Sequence, residues 1–178
     1  ESYATTIQPQ ASFVIMDQSN GQVKAIVGGR GEKTGNLTLD RATDSSRQPG
    51  STFKILASFA PAVDIGQSLA TTYEDAPFNY ENGRPVKNWY GSYRGTSTIR
   101  TAIQNSMNIV AVKCLTEITP RAGFDYLEKL GFTTLVEEDV MADGSIVSDV
   151  NQSLALGGLT NGVTNMEITA AYASLANG

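Results

Sequence analysis

The sequence predicts an α/β chain, with one antiparallel β-hairpin leading into a mostly helical body. Three observations predict it. "ASFVIMDQSNGQVKAIVGG" carries two strand-like runs, Val14 to Met16 and Val23 to Val27, around Asn20-Gly21, a strong hairpin-turn signal. Further along, apolar residues recur at helical spacing in several separate segments. The chain has 178 residues, 40% of them hydrophobic and 17% charged, enough for one domain with a real core.

Taken in order, the hairpin is followed by "GRGEKTGNLTLDRATDSSRQPG", a long polar, Gly-rich loop of the kind that borders functional sites. A helix is expected from about Ser51, with Phe53, Leu56, Ala57 and Ala60 on one face, and Pro61 should kink or end it. "TYEDAPFNYENGRPVKNWYGSYRG" reads as irregular and aromatic-rich. "TSTIRTAIQNSMNIVAVKCLTEI" reads as two helices broken at "QNSMN", whose polar side chains compete for the backbone. The next helix has Thr119 as cap, Pro120 as first residue and Gly131 as terminator. The stretch "TTLVEEDVMADGSIVSDVNQSLALGGLTNG" has no clean period. A last helix opens on a capping box, Thr164 with Glu167, and closes at Asn177-Gly178.

Composition narrows the chemistry. There is no histidine, which removes Ser-His-Asp and Cys-His catalysis and every His-containing metal site. The one cysteine, Cys114, lies in an apolar run and reads as a buried core thiol. The net charge of -5 without a Lys/Arg cluster argues against nucleic acid. No apolar run is long enough to span a bilayer. An acyl-transfer or hydrolytic site would have to take its base from lysine or a carboxylate.

"RQPGSTFKIL" offers such a base. Ser51 and Lys54 stand at i and i+3, on one helix face and within hydrogen-bond reach. A helix N-terminus favours an alkoxide on Ser51, and the Ser51 backbone N–H suits an oxyanion. Phe53, Ile55 and Leu56 would bury Lys54, lower its pKa and leave a neutral amine to take the serine proton. Read structurally, Ser51 is only a cap and Lys54 a surface lysine. In "NSMN", Ser106 can relay protons and the Asn108 carboxamide can hold a peptide group, or both simply stop a helix.

Together these segments resemble the penicillin-binding transpeptidases of the bifunctional, class A kind. "MDQSNGQVKAIVGGR", "DRATDSSRQPGSTFKIL", "NWYGSYRGTSTIRTAIQNSMNIVAV" and "LALGGLTNGVTNMEITAAYASLANG" carry the resemblance over nearly the whole chain. It implies Ser51 as acylated nucleophile, Lys54 as its base, Ser106 as proton relay to the leaving amine and Asn108 as holder of the substrate amide. The implied substrate is a peptidoglycan stem peptide ending in D-Ala-D-Ala, with β-lactams acylating the same serine and no metal or organic cofactor. The implied fold is an antiparallel sheet flanked by helices with an adjacent helical lobe, as in the serine β-lactamases. The implied location is the outer face of the bacterial cell membrane, behind a membrane anchor.

The resemblance has one gap. The family's third motif, Lys-Thr-Gly, should follow the second on a core strand. Here "KTG", Lys33 to Gly35, precedes the nucleophile and reads as a coincidence. Residues 1–178 are therefore expected to be the N-terminal part of one transpeptidase domain. The third motif and remaining strands are expected past Gly178 or on a second polypeptide, and the chain is expected to be inactive without them. D,D-carboxypeptidase or β-lactamase-like chemistry, or a non-catalytic structural fragment, are the alternative readings. Asn88, Trp89, Tyr90 and Tyr93 either line a cleft near Ser106 or pack a loop. Arg94 is read as the partner of a carboxylate. Gly157 and Gly158 either permit close backbone approach or terminate an element.

Overall fold

A computed structural model describes residues 9–33 and 35–178. The chain divides into two compact units, one built from the N-terminal segment to Ser46 with residues 163–178, the other from Arg47 to Gly162.

In the first unit, β1 (Phe13–Asp17) pairs antiparallel with β2 (Gln22–Val27), in register from Phe13 opposite Val27, with a bulge between Ile15 and Met16. Asn20-Gly21 makes the turn, with Gly21 at φ 72°. Helix α5 (Asn165–Asn177) packs on β1. The capping box is present: Glu167 N–H donates to Thr164 Oγ1 at 3.2 Å, and Thr164 N–H to Glu167 Oε2 at 2.8 Å. Phe13, Ile15 and Val27, which the register puts on one face, remain exposed, so that face of the hairpin is apolar; Val23 and Ile26, also exposed, stand opposite Met16 and Val14. Lys33 and Gly35 are exposed in the loop after β2, and Thr34, the middle residue of "KTG", lies outside the described residues.

The second unit is built round α3 (Asn108–Ile118). Seven of its residues are buried: Ile109, Val110, Ala111, Val112, Cys114, Leu115 and Ile118. A helix apolar on nearly all sides must be covered on nearly all sides. The segment 50–64, β3 (Thr72–Asp75), α4 (Pro120–Lys129) and a 3-10 turn (Gln152–Leu156) cover it. Cys114 is fully buried, and burial pushes its thiol up to about 11.

The helical segment differs from its expected form. It begins as a 3-10 turn, Gly50–Thr52, loosens to a π-helix over Ile55–Phe59 and ends as α1 (Ala60–Asp64). Pro61 does not end it, because it stands in the first turn of α1, where a helix has no need of the N–H that proline lacks. The break between α2 (Ile99–Gln104) and α3 falls at residues 105–107, as the polar cluster predicts. Two hairpins escaped the sequence reading. β3, at the start of the stretch read as irregular, pairs with β4 (Gly95–Thr98), whose residues 96–98 open the stretch read as helical, and β5 (Asp139–Val140) pairs with β6 (Ile146–Val147). Strands of two to four residues are too short to show a period. The described residues thus form helices with three two-stranded antiparallel sheets.

Candidate active site

Ser51 is exposed in the first turn of its helical segment, where backbone N–H groups have no intrahelical acceptor. The chain reaching it is clamped. Gln48 exchanges two hydrogen bonds with the Leu159 backbone, Nε2–H to the carbonyl at 2.6 Å and Leu159 N–H to Oε1 at 2.8 Å. Gly157, left-handed at φ 69°, passes so close that a Cβ there would stand 2.5 Å from both N and O of Gly50. Gly157 thus does both things expected of it: it ends a 3-10 turn and permits close backbone approach.

Lys54 is 2% exposed. Its Nζ donates to two oxygens of one residue, the Ser106 carbonyl at 2.6 Å and the Ser106 hydroxyl at 2.8 Å. Burial lowers the amine from 10.5 to about 8. The amine faces Ser106, and the structure shows no hydrogen bond from it to Ser51. Ser106 stands in the helix break at φ 49°, a conformation that costs a non-glycine residue about 1–3 kcal/mol. Asn108 opens α3, and its Nδ2 donates to the Lys87 carbonyl at 2.7 Å. That contact leaves Oδ1 available as an acceptor. The structure therefore joins Lys54 to Ser106 by hydrogen bonds, with Asn108 two residues further on, bonded instead to Lys87 and Asn88, and Ser51 one helical turn before Lys54.

Residues 87–94 and Asp75 form a support that sequence reasoning did not find. Asn88 Oδ1 accepts from the N–H groups of Asn108 and Ile109, at 3.0 and 3.2 Å, capping α3 from outside. Trp89 Nε1–H donates to the Asn105 carbonyl at 3.0 Å while its ring stays 71% exposed. Tyr93 is also exposed. Arg94 does not pair with a carboxylate through its side chain. Its guanidinium lies over Tyr90, and Nη1–H donates to Asn105 Oδ1 at 2.6 Å, while its backbone N–H donates to Asp75. The sequence offered Asn88, Trp89, Tyr90 and Tyr93 as cleft or packing residues and Arg94 as a carboxylate partner, but not the contacts they make. Asp75 carried no sequence signal. No group of three or more potential metal ligands occurs among the described residues.

The family comparison agrees with fold and motifs. A model of the penicillin-binding protein transpeptidase domain matches residues 11–178. The chain belongs to that family, a family of acyl-serine enzymes. It is 35% identical to penicillin-binding protein 1A of Clostridium tetani over 99% of this chain and 23% of the relative. It is 31% identical to penicillin-binding protein 1A of Streptococcus pneumoniae over 95% of this chain and 23% of that one. Among solved structures, penicillin-binding protein 1A from Haemophilus influenzae superposes with a TM-score of 0.77 at 26% identity, over 95% of this chain and 24% of that one. PonA1 of Mycobacterium tuberculosis, solved in complex with penicillin V, gives 0.76 at 25% identity, over 94% and 43%. The chain thus spans about a quarter of the curated relatives it matches.

Proposed function

We propose that this chain carries the nucleophile half of a peptidoglycan D,D-transpeptidase that works through an acyl-serine and is acylated at the same serine by β-lactams. The observation that carries the reading is the placement of Lys54. A neutral amine has two N–H donors and one lone pair. Both donors are engaged by Ser106, so the lone pair is left to receive a proton. Lys54 takes the Ser51 proton as Oγ bonds to the carbonyl carbon of the penultimate D-Ala. The C–N bond to the terminal D-Ala then breaks. The proton passes from Lys54 through Ser106 Oγ to the leaving amine, and Asn108 Oδ1 accepts from a substrate N–H. An amine from a neighbouring stem peptide attacks the acyl carbon, the ester bond to Ser51 Oγ breaks, and the proton the amine loses passes through Lys54 to Ser51 Oγ.

The chain's share of its relatives, and the exposed apolar face of the β1–β2 hairpin, support a further part of the reading. The third motif and remaining strands come from polypeptide outside this chain, continuous with it or separate, and this chain alone is inactive. The complete protein works on the outer face of the cell membrane, where its substrate is, held by an anchor outside this chain. Intact-mass spectrometry of the completed domain with benzylpenicillin tests the site. One penicilloyl adduct on Ser51, absent in Ser51→Ala, is expected. An adduct that persists in Ser51→Ala, or none on the completed wild type, overturns the reading.

A further inference from the structure

Asp75 is fully buried and accepts three hydrogen bonds: from Asn88 Nδ2 at 2.7 Å, Tyr90 OH at 2.7 Å and Arg94 N–H at 2.9 Å. A carboxylate can only accept. It therefore compels Asn88 to present its NH2 inward, and the Asn88 oxygen must face the other way, toward the N–H groups of Asn108 and Ile109. Asn88 is itself buried. The same loop grips the other side of the Ser106 turn, through Trp89 and Arg94 on Asn105. Ser106, in its left-handed conformation, is thus held on both flanks by residues whose arrangement Asp75 sets.

We infer that Asp75 and Asn88 are positioning residues for the second motif: the buried Asp75 carboxylate fixes the direction of the Asn88 amide, and Asn88 fixes where Ser106 and Asn108 stand. The inference rests on the reading of Ser106 as proton relay. It makes a polarity prediction. Asp75→Asn places an NH2 against the Asn88 NH2 or against the Arg94 N–H. Asn88→Asp places two carboxylates face to face. The exchanged pair, Asp75→Asn with Asn88→Asp, restores every contact except that of Asn88 Nδ2 with the Ser92 carbonyl.

The test uses the completed domain, and reads the first-order acylation constant at saturating benzylpenicillin beside the thermal midpoint. Each single variant is expected to slow acylation about 10- to 100-fold, the scale of an ångström-sized misplacement. The exchanged pair should return to within about threefold of wild type. In a Ser106→Ala background, Asp75→Asn should cost clearly less than it does in the wild type, because one of the two groups it positions is gone. Single variants within about twofold of wild type overturn the inference, as does an equal loss with and without the Ser106 hydroxyl. Where a single variant does not fold, the exchanged pair decides: recovery supports the inference, and a pair that stays slow or unfolded overturns it. Failure of the Ser51 reading shows separately, as an adduct that persists in Ser51→Ala.

Discussion

Lys54 is a buried amine with two donors engaged by a single residue, and its burial bears on its titration. Its pKa in the fold, about 8, lies below the 10.5 of the free side chain, and burial is the cause. Below pH 8 the folded state carries a buried ammonium and its full cost. Between pH 8 and 10.5 the unfolded chain holds the proton that the folded chain has lost, so stability rises with pH across that window. Lys54→Met should remove that rise. The thermal midpoint of wild type minus that of the variant, followed from pH 7 to 10.5, measures it, and parallel curves would contradict the assignment. The acylation constant should climb with pH through about 8 as the amine becomes neutral, and Lys54→Met should abolish acylation. Stopped-flow acylation against pH reads both. Ser51, Lys54, Ser106 and Asn108 were all legible as candidates, because each stands in a short motif. Asp75 was not, because it acts through Asn88, 13 residues away.

At the scale of elements, the Ser51 segment depends on backbone contacts that only glycine permits. Gly157→Ala would place a Cβ 2.5 Å from Gly50 N and O, and at a positive φ, so the Ser51 turn or the 152–156 turn must shift. A loss of about 1–3 kcal/mol is expected. At roughly 2–4 °C per kcal/mol for a chain of this size, a thermal melt resolves it. Slower acylation should accompany the loss, since Gly50 directly precedes Ser51, the proposed nucleophile. Gly123→Ala meets the Ala57 carbonyl at 2.5 Å, where α4 crosses the π-helical turn, and should cost a similar amount by the same measurement. Elements with local signals were readable: the Asn-Gly turn, the Thr164 capping box, the Pro120 helix start, the polar break before α3. The π-helix was not. The i→i+5 pattern has no periodicity of its own over five residues, and its place is set by what packs against it.

At the scale of the whole molecule, the sheets among the described residues have two strands each. A two-stranded hairpin with Phe13, Ile15 and Val27 exposed is marginal by itself. The chain without its complement should therefore bind a hydrophobic dye and exchange the amide hydrogens of β1 and β2 quickly. Addition of the completing polypeptide should suppress both, and dye binding or exchange that does not respond would count against completion by further strands. What the sequence alone determined is local and chemical. It set the turn at Asn20-Gly21, the helix boundaries that carry caps, and, by lacking histidine, the exclusion of histidine-based chemistry. What only the tertiary structure decided is which distant residues meet. Lys54 reaches Ser106 across 52 residues, Gln48 reaches Leu159 across 111, and β3 finds β4 beyond an irregular loop. Such pairings follow from burial and closure of the whole chain, in which each contact is stabilised only when the others have formed, so no window of sequence contains them.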